Sequence, residues 1–159
     1  MRASALLAAL LLGFSPGVAE AGCKDHAGPG VEWTGCSKKL LMLQSASLDG
    51  AILAGSNLTS TDLTGSNLDG ANLNEADLSY ASLKSASLKG ASLVKTAGNN
   101  TSLVKADLSD ANMQAIELFR ADFTNALLTN ANLSRSSLPR ALFSGANLSG
   151  ASLETVSYT

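Results

Sequence analysis

Charge is scarce in this chain. Lys, Arg, Asp and Glu make up 15% of its 159 residues and sum to −2. Neither the basic footprint of a nucleic-acid binder nor a strongly acidic surface is present. Aromatic residues are only 4%, so a conventional mixed core is excluded and the interior must be built from leucine and alanine. There is a single histidine, His26, in a Gly/Pro-rich stretch, so a Ser-His-Asp triad has no good base. Phosphate-binding glycine motifs of the Walker or dinucleotide type are missing. The residues for acid–base or nucleophilic work are therefore absent, and the chain is read as no enzyme, with no cofactor. Cys23, Asp25 and His26 lie close in sequence, but no second cluster completes a metal site.

What is abundant is a five-residue phrase. From Ala46 to Leu93 it runs without slipping: ASLDG, AILAG, SNLTS, TDLTG, SNLDG, ANLNE, ADLSY, ASLKS, ASLKG, ASL. It resumes at Thr101 and continues to Leu153. Position one is small, position two is polar (usually Asn, Asp or Ser), and position three is nearly always Leu. On an α-helix a period of five would spiral the leucines round every side. On a flat strand it would send successive leucines to opposite faces. All leucines point inward only if the chain bends once per phrase and winds around them as a solenoid.

These phrases resemble the pentapeptide-repeat family, with its signature A(D/N)LXX, from Leu43 to about Leu153. The resemblance implies an all-β fold, a right-handed quadrilateral β-helix with one pentad per face and about twenty residues per coil. Residues 40–159 would then make about six coils, a rod on the order of 30 Å long. Four columns of inward residues follow. One holds Leu48, Leu68, Leu88, Leu108, Leu128 and Leu148; another places Phe123 and Phe143 in neighbouring layers, where stacked rings suit aromatic packing.

Three domains are expected. Residues 1–21 read as a signal peptide: Arg2, the apolar run Ala5–Phe14, a Pro16-Gly17 break, and Ala19-Glu20-Ala21 before Gly22. Ten apolar residues are too few to span a bilayer, which needs about 20, so no transmembrane span remains after cleavage. Residues 22–41 read as an N-terminal cap and degenerate first coil, with Trp33 on a centre position and Lys38 where Leu is expected. Residues 42–159 are the repeat body. Export sends Cys23 and Cys36 to a periplasmic or secreted compartment where disulfides persist, and a 23–36 bond is expected. Lipidation of Cys23, with Gly22 before it, is the alternative.

One pentad breaks the pattern. Thr96-Ala97-Gly98-Asn99-Asn100 keeps the spacing but puts Gly98 at the centre, which implies either a hole in that column or a bulge. A binding notch is the functional alternative to a structural irregularity. Ile116, oversized for position one a coil later, is placed to fill such a gap. The C-terminal coil has no evident cover, which points to a homodimer through that end or to Tyr158 closing the last layer. Lys84, Lys89, Lys95 and Lys105 follow the acidic early coils, and Arg120 and Arg140 lie one coil apart with Arg135 near them. The functional expectation is an exported, non-enzymatic structural or protein-interaction module with an unknown protein or surface partner, touching through polar ladders such as Asn72, Ser92, Asn112, Asn132 and Ser152, and no nucleic acid. The alternative that the resemblance brings is a DNA-mimicking, gyrase-interacting protein, which would need a strongly acidic rod.

Overall fold

The structure is a computed structural model that describes residues 22–158. The signal-peptide segment, residues 1–21, lies outside the described residues.

Each pentad makes one short extended step and one turn. The leucine carbonyl accepts a hydrogen bond from the N–H three residues on, as in Leu68 to Ala71 at 3.0 Å. The residue that ends each pentad has φ near +60°, for example Gly70 at 65° and Lys105 at 58°. A bond across three residues with positive φ at its second central position is the geometry of a type II turn. Glycine adopts it without the Cβ penalty, which explains why so many pentads close on Gly.

Turning once per pentad brings residue i beside residue i+20. Parallel bridges join Ile52 to Asn72, Asn72 to Ser92, and so on from Glu32 to Ser157. The Leu53 N–H donates to the Asn72 carbonyl at 2.7 Å, and the Asn72 N–H donates back to Ala51 at 2.8 Å. Four pentads therefore complete one coil. Among the described residues only two segments extend to three-residue strands: β1 (Ala97–Asn99) and β2 (Glu117–Phe119), which pair in parallel.

The interior is a leucine stack walled by small residues. Leu48, Leu68, Leu88 and Leu108 are fully buried in one column, and Phe123 is buried in the next. Phe143 stacks on Phe123 with ring centroids 4.8 Å apart. Phe143 itself is only half-buried. Tyr158 meets its ring edge-on at 6.4 Å yet stays half exposed, so it covers the last layer only in part. Buried hydroxyls at position one are satisfied by the backbone: Thr61 donates to Lys38 O, Thr96 to Leu73 O and Thr101 to Leu78 O. Ser56 alone among the described buried side chains has no partner.

At the N-terminal end, residues 22–41 bridge in register to the next coil through Glu32–Ile52 and Ser37–Asn57. Trp33 fills the first layer and donates its indole N–H to Asp25 O at 3.2 Å. Cys23 and Cys36 are joined by a disulfide with Cα atoms 5.5 Å apart. Lys38, in a leucine position, holds its ammonium 3.7 Å from the Trp33 ring centroid and 2.7 Å from Cys23 O. Burial lowers its pKa, with Asp25 acting in the opposite direction. A lysine thus substitutes for leucine by covering an aromatic face with its stem and satisfying its charge at the cap.

Truncation of a central leucine should be costly, and removal of the orphan hydroxyl should not be. Leu88→Ala is expected to lose about 2–5 kcal/mol in denaturant unfolding. Ser56→Ala, which converts a buried unpaired hydroxyl into the alanine found at Ala51 and Ala71, should be neutral or stabilising. A Ser56→Ala loss as large as that of Leu88→Ala would contradict this packing.

Candidate interaction face at the repeat break

The second pentad position has a structural job. Its side-chain oxygen accepts the backbone N–H two residues on: Asn57 from Thr59 at 3.0 Å, Asp62 from Thr64 at 3.0 Å, Asp77 from Ser79 at 2.9 Å. This bond favours the turn that follows, as Asx side chains do elsewhere. It also sets the charge state. Hydrogen bonds from Thr64 hold Asp62 below the usual carboxylate pKa. Burial pushes Asp77 and Asp107 upward, but the bonds from Ser79 and Ser109 outweigh it and the net shift is down. General acid–base groups need a pKa near the working pH, so these carboxylates are structural anions. The Asn72–Asn132 ladder is engaged in the same way: Asn72, Asn112 and Asn132 accept from their own turns at 3.1, 3.2 and 3.0 Å. That ladder is less available for partner contact than its sequence implies.

At the break this device is absent. Ala97 offers no acceptor and Gly98 no side chain to draw inward; the extended step lengthens to the three residues of β1, and the chain still turns at Asn100, whose φ is 53°. A Cβ on Gly98 would lie 2.5 Å from Thr101 Oγ1, 2.9 Å from Leu118 Cδ2 and 3.3 Å from the Leu78 backbone. The column therefore has no hole at Gly98, because its neighbours have closed in. Ile116, one coil on in the same column, is fully buried.

A shallow depression of about 240 Å³ is lined by residues of β1 and β2, Glu117 among them, and by Ser137 and Pro139. Phe119 stands in its wall, 36% exposed. The guanidinium carbons of Arg120 and Arg140 lie 5.1 and 5.9 Å from its ring centroid. Lys89 pairs with Asp107 at 3.3 Å and Lys95 with Glu75 at 3.9 Å. Neither arginine pairs with a carboxylate among the described residues. The basic band of the sequence thus resolves into partly neutralised lysines and two unpaired arginines on one ring. In the cap, the disulfide occupies Cys23 and removes it as a ligand for a site with Asp25 and His26. No group of three or more potential ligands is placed to hold a metal among the described residues.

The profile of the family described as Pentapeptide repeats matches residues 43–79, 76–114 and 116–154, with 8 copies of the repeat. The chain belongs to the pentapeptide-repeat family. Pentapeptide-repeat proteins fold as right-handed quadrilateral β-helices and are generally structural or interaction modules. Similar solved structures include trypsin-treated QnrB1, a plasmid-mediated fluoroquinolone resistance protein, at 18% identity over 83% of this chain and 68% of that one, with TM-score 0.57. HetL from the cyanobacterium Nostoc sp., involved in heterocyst differentiation regulation, is 28% identical over 80% of this chain, with TM-score 0.46, and the present chain spans 62% of its length. A pentapeptide-repeat protein of the Arabidopsis thaliana thylakoid lumen is 32% identical over 62% of this chain and 66% of that one, with TM-score 0.34. The QnrB1 likeness speaks to the fold alone. No curated protein sequence matches the chain.

Within this pentapeptide-repeat rod, the sequence flagged Gly98, Arg120 and Arg140 separately. It missed Phe119 as their meeting point. The available signal was the pentad Ile116-Glu117-Leu118-Phe119-Arg120, which departs from the pattern at positions one, two and four, one coil after the Gly98 break.

Gly98→Val should destabilise the rod by about 1–3 kcal/mol, because the added atoms meet Thr101, Leu118 and fixed backbone. Thermal unfolding checks this. A Gly98→Val protein at least as stable as the parent would mean that the column does contain a hole.

Proposed function

We propose that this chain is an exported, non-enzymatic structural or protein-interaction module, a rod of about six coils whose domains are a signal peptide at 1–21, a cap at 22–41 and a repeat body at 42–159. The observation that carries the interaction reading is the Phe119 face. There a partly exposed ring meets two arginines that pair with no carboxylate among the described residues. The disulfide supports export to an oxidising compartment, periplasmic or secreted. It also takes the thiol that lipidation of Cys23 would need. No helix among the described residues is long and apolar enough to cross a membrane.

The C-terminal coil supports a homodimer through that end. Leu142, Leu153 and Tyr158 are 58%, 41% and 51% exposed on an unpaired edge. The gyrase-interacting alternative draws only on the fold shared with QnrB1, and the mixed charge of this rod does not imitate a duplex. Supercoiling assays with the mature protein separate the two: potent inhibition or protection of gyrase would favour the alternative.

The export reading predicts a mature N-terminus at Gly22 and no reactive thiol in denatured, unreduced protein from the exported fraction. N-terminal sequencing and thiol titration check both. An intact Met1 in the membrane fraction, or two reactive thiols, would overturn it. Replacing both cysteines by Ser should lower the melting temperature, since closing this loop stabilises by about 3 kcal/mol in the chain-entropy model.

A further inference from the structure

We infer that the depression outside β1 and β2 binds a carboxylate-bearing segment of a partner protein, with the acidic side chain held by Arg120 and Arg140 and a neighbouring apolar side chain laid against Phe119. The inference rests on the interaction-module reading and adds the partner's chemistry to it.

Two like charges have been brought to one ring. Arg120 and Arg140 both approach Phe119, and neither has a carboxylate within ion-pair distance among the described residues. Such an arrangement carries uncompensated positive charge at a fixed place. A guanidinium set over an aromatic face keeps its in-plane N–H fork for a second contact, and that fork matches a carboxylate bidentately. The ring cannot satisfy those donors; an anion can.

The rest of the depression selects what carries the anion. Its lining includes Gly98 and Leu118, and Arg120 and Arg140 meet its edge at Phe119. Ala97, Phe119 and Pro139 supply apolar walls, while Asn99 and Ser137 supply hydrogen-bonding groups. A segment with one acidic and one apolar side chain uses all of these. A nucleic acid does not. Glu117 lines the depression and opposes any anion, so a single carboxylate held by two guanidiniums is favoured over a chain of phosphates, and Lys89 and Lys95 are already paired with carboxylates. Polyanion binding needs a run of free cations, which this face lacks.

The test uses the mature, disulfide-bonded protein, isotopically labelled and titrated with N-acetyl-Asp-Phe-amide while backbone amide shifts are followed. Shifts should be confined to β1, β2, Arg120 and residues 137–140. The Asn-Phe analogue should bind about tenfold more weakly, since it loses the charge-assisted bonds. Arg120→Gln combined with Arg140→Gln should weaken the Asp-Phe probe by at least about tenfold while the melting temperature stays unchanged. Equal affinity for the Asp and Asn probes, shifts elsewhere on the rod, or tighter binding of a thymidine oligonucleotide would each overturn the inference. Crosslinking in intact cells separates it from the broader reading. A captured partner that the double Gln variant still holds would reject this surface and leave the module intact; a parent protein that captures nothing would reject the module itself.

Discussion

The fold depends on the agreement of two spacings. Leucine recurs every five residues, and the backbone pairs every twenty. Because twenty is four fives, each leucine lies directly over another, and each coil donates its N–H groups to the next in the same layers where the side chains pack. Hydrophobic burial and hydrogen bonding are therefore satisfied by one register. Every other feature of the chain is tied to that register. Small residues at position one let the walls close, Asn and Asp at position two brace the turns, and glycines at position five relieve the positive φ. Aromatic residues pack in both end layers, with Trp33 in the first and Phe143 and Tyr158 in the last.

Departures from the register mark where the rod does something other than hold itself up. At Gly98 the spacing survives and the column stays filled, because Thr101 and Leu118 lie where a side chain would be. One coil on, Phe119 stands beside two arginines. The N-terminal cap is a second departure. There a lysine, an indole and a disulfide do the work that leucine does in the body.

Much of this architecture could be read from the residues because a period of five is incompatible with both ordinary elements. The leucine direction and the coil follow from spacing alone, and the likeness to a known family from the A(D/N)LXX phrase, since each pentad repeats the same local instruction. The cysteine pairing was readable because only two cysteines exist. What spacing could not reveal lay between coils or at single side chains. The Lys38 ammonium over Trp33 depends on a fold-back of the cap. The meeting of Phe119 with Arg120 and Arg140 joins residues one apart and twenty-one apart, and position four carries no pattern that would flag it. Gly98 was visible as an exception, but whether it left a hole depended on how far Thr101 and Leu118 could move in.

The claim that register governs the fold is tested most directly by comparing two insertions between Gly70 and Ala71. One adds the five residues Ala-Asn-Leu-Ser-Gly, which keeps every downstream leucine on a centre position. The other adds a single alanine, which moves the phrase out of step with the coil above. Thermal unfolding followed by circular dichroism reads the outcome. The five-residue insertion should retain cooperative unfolding near the parent midpoint, and the single alanine should lower the midpoint markedly or split the transition. A single alanine tolerated as well as the whole pentad would contradict the account.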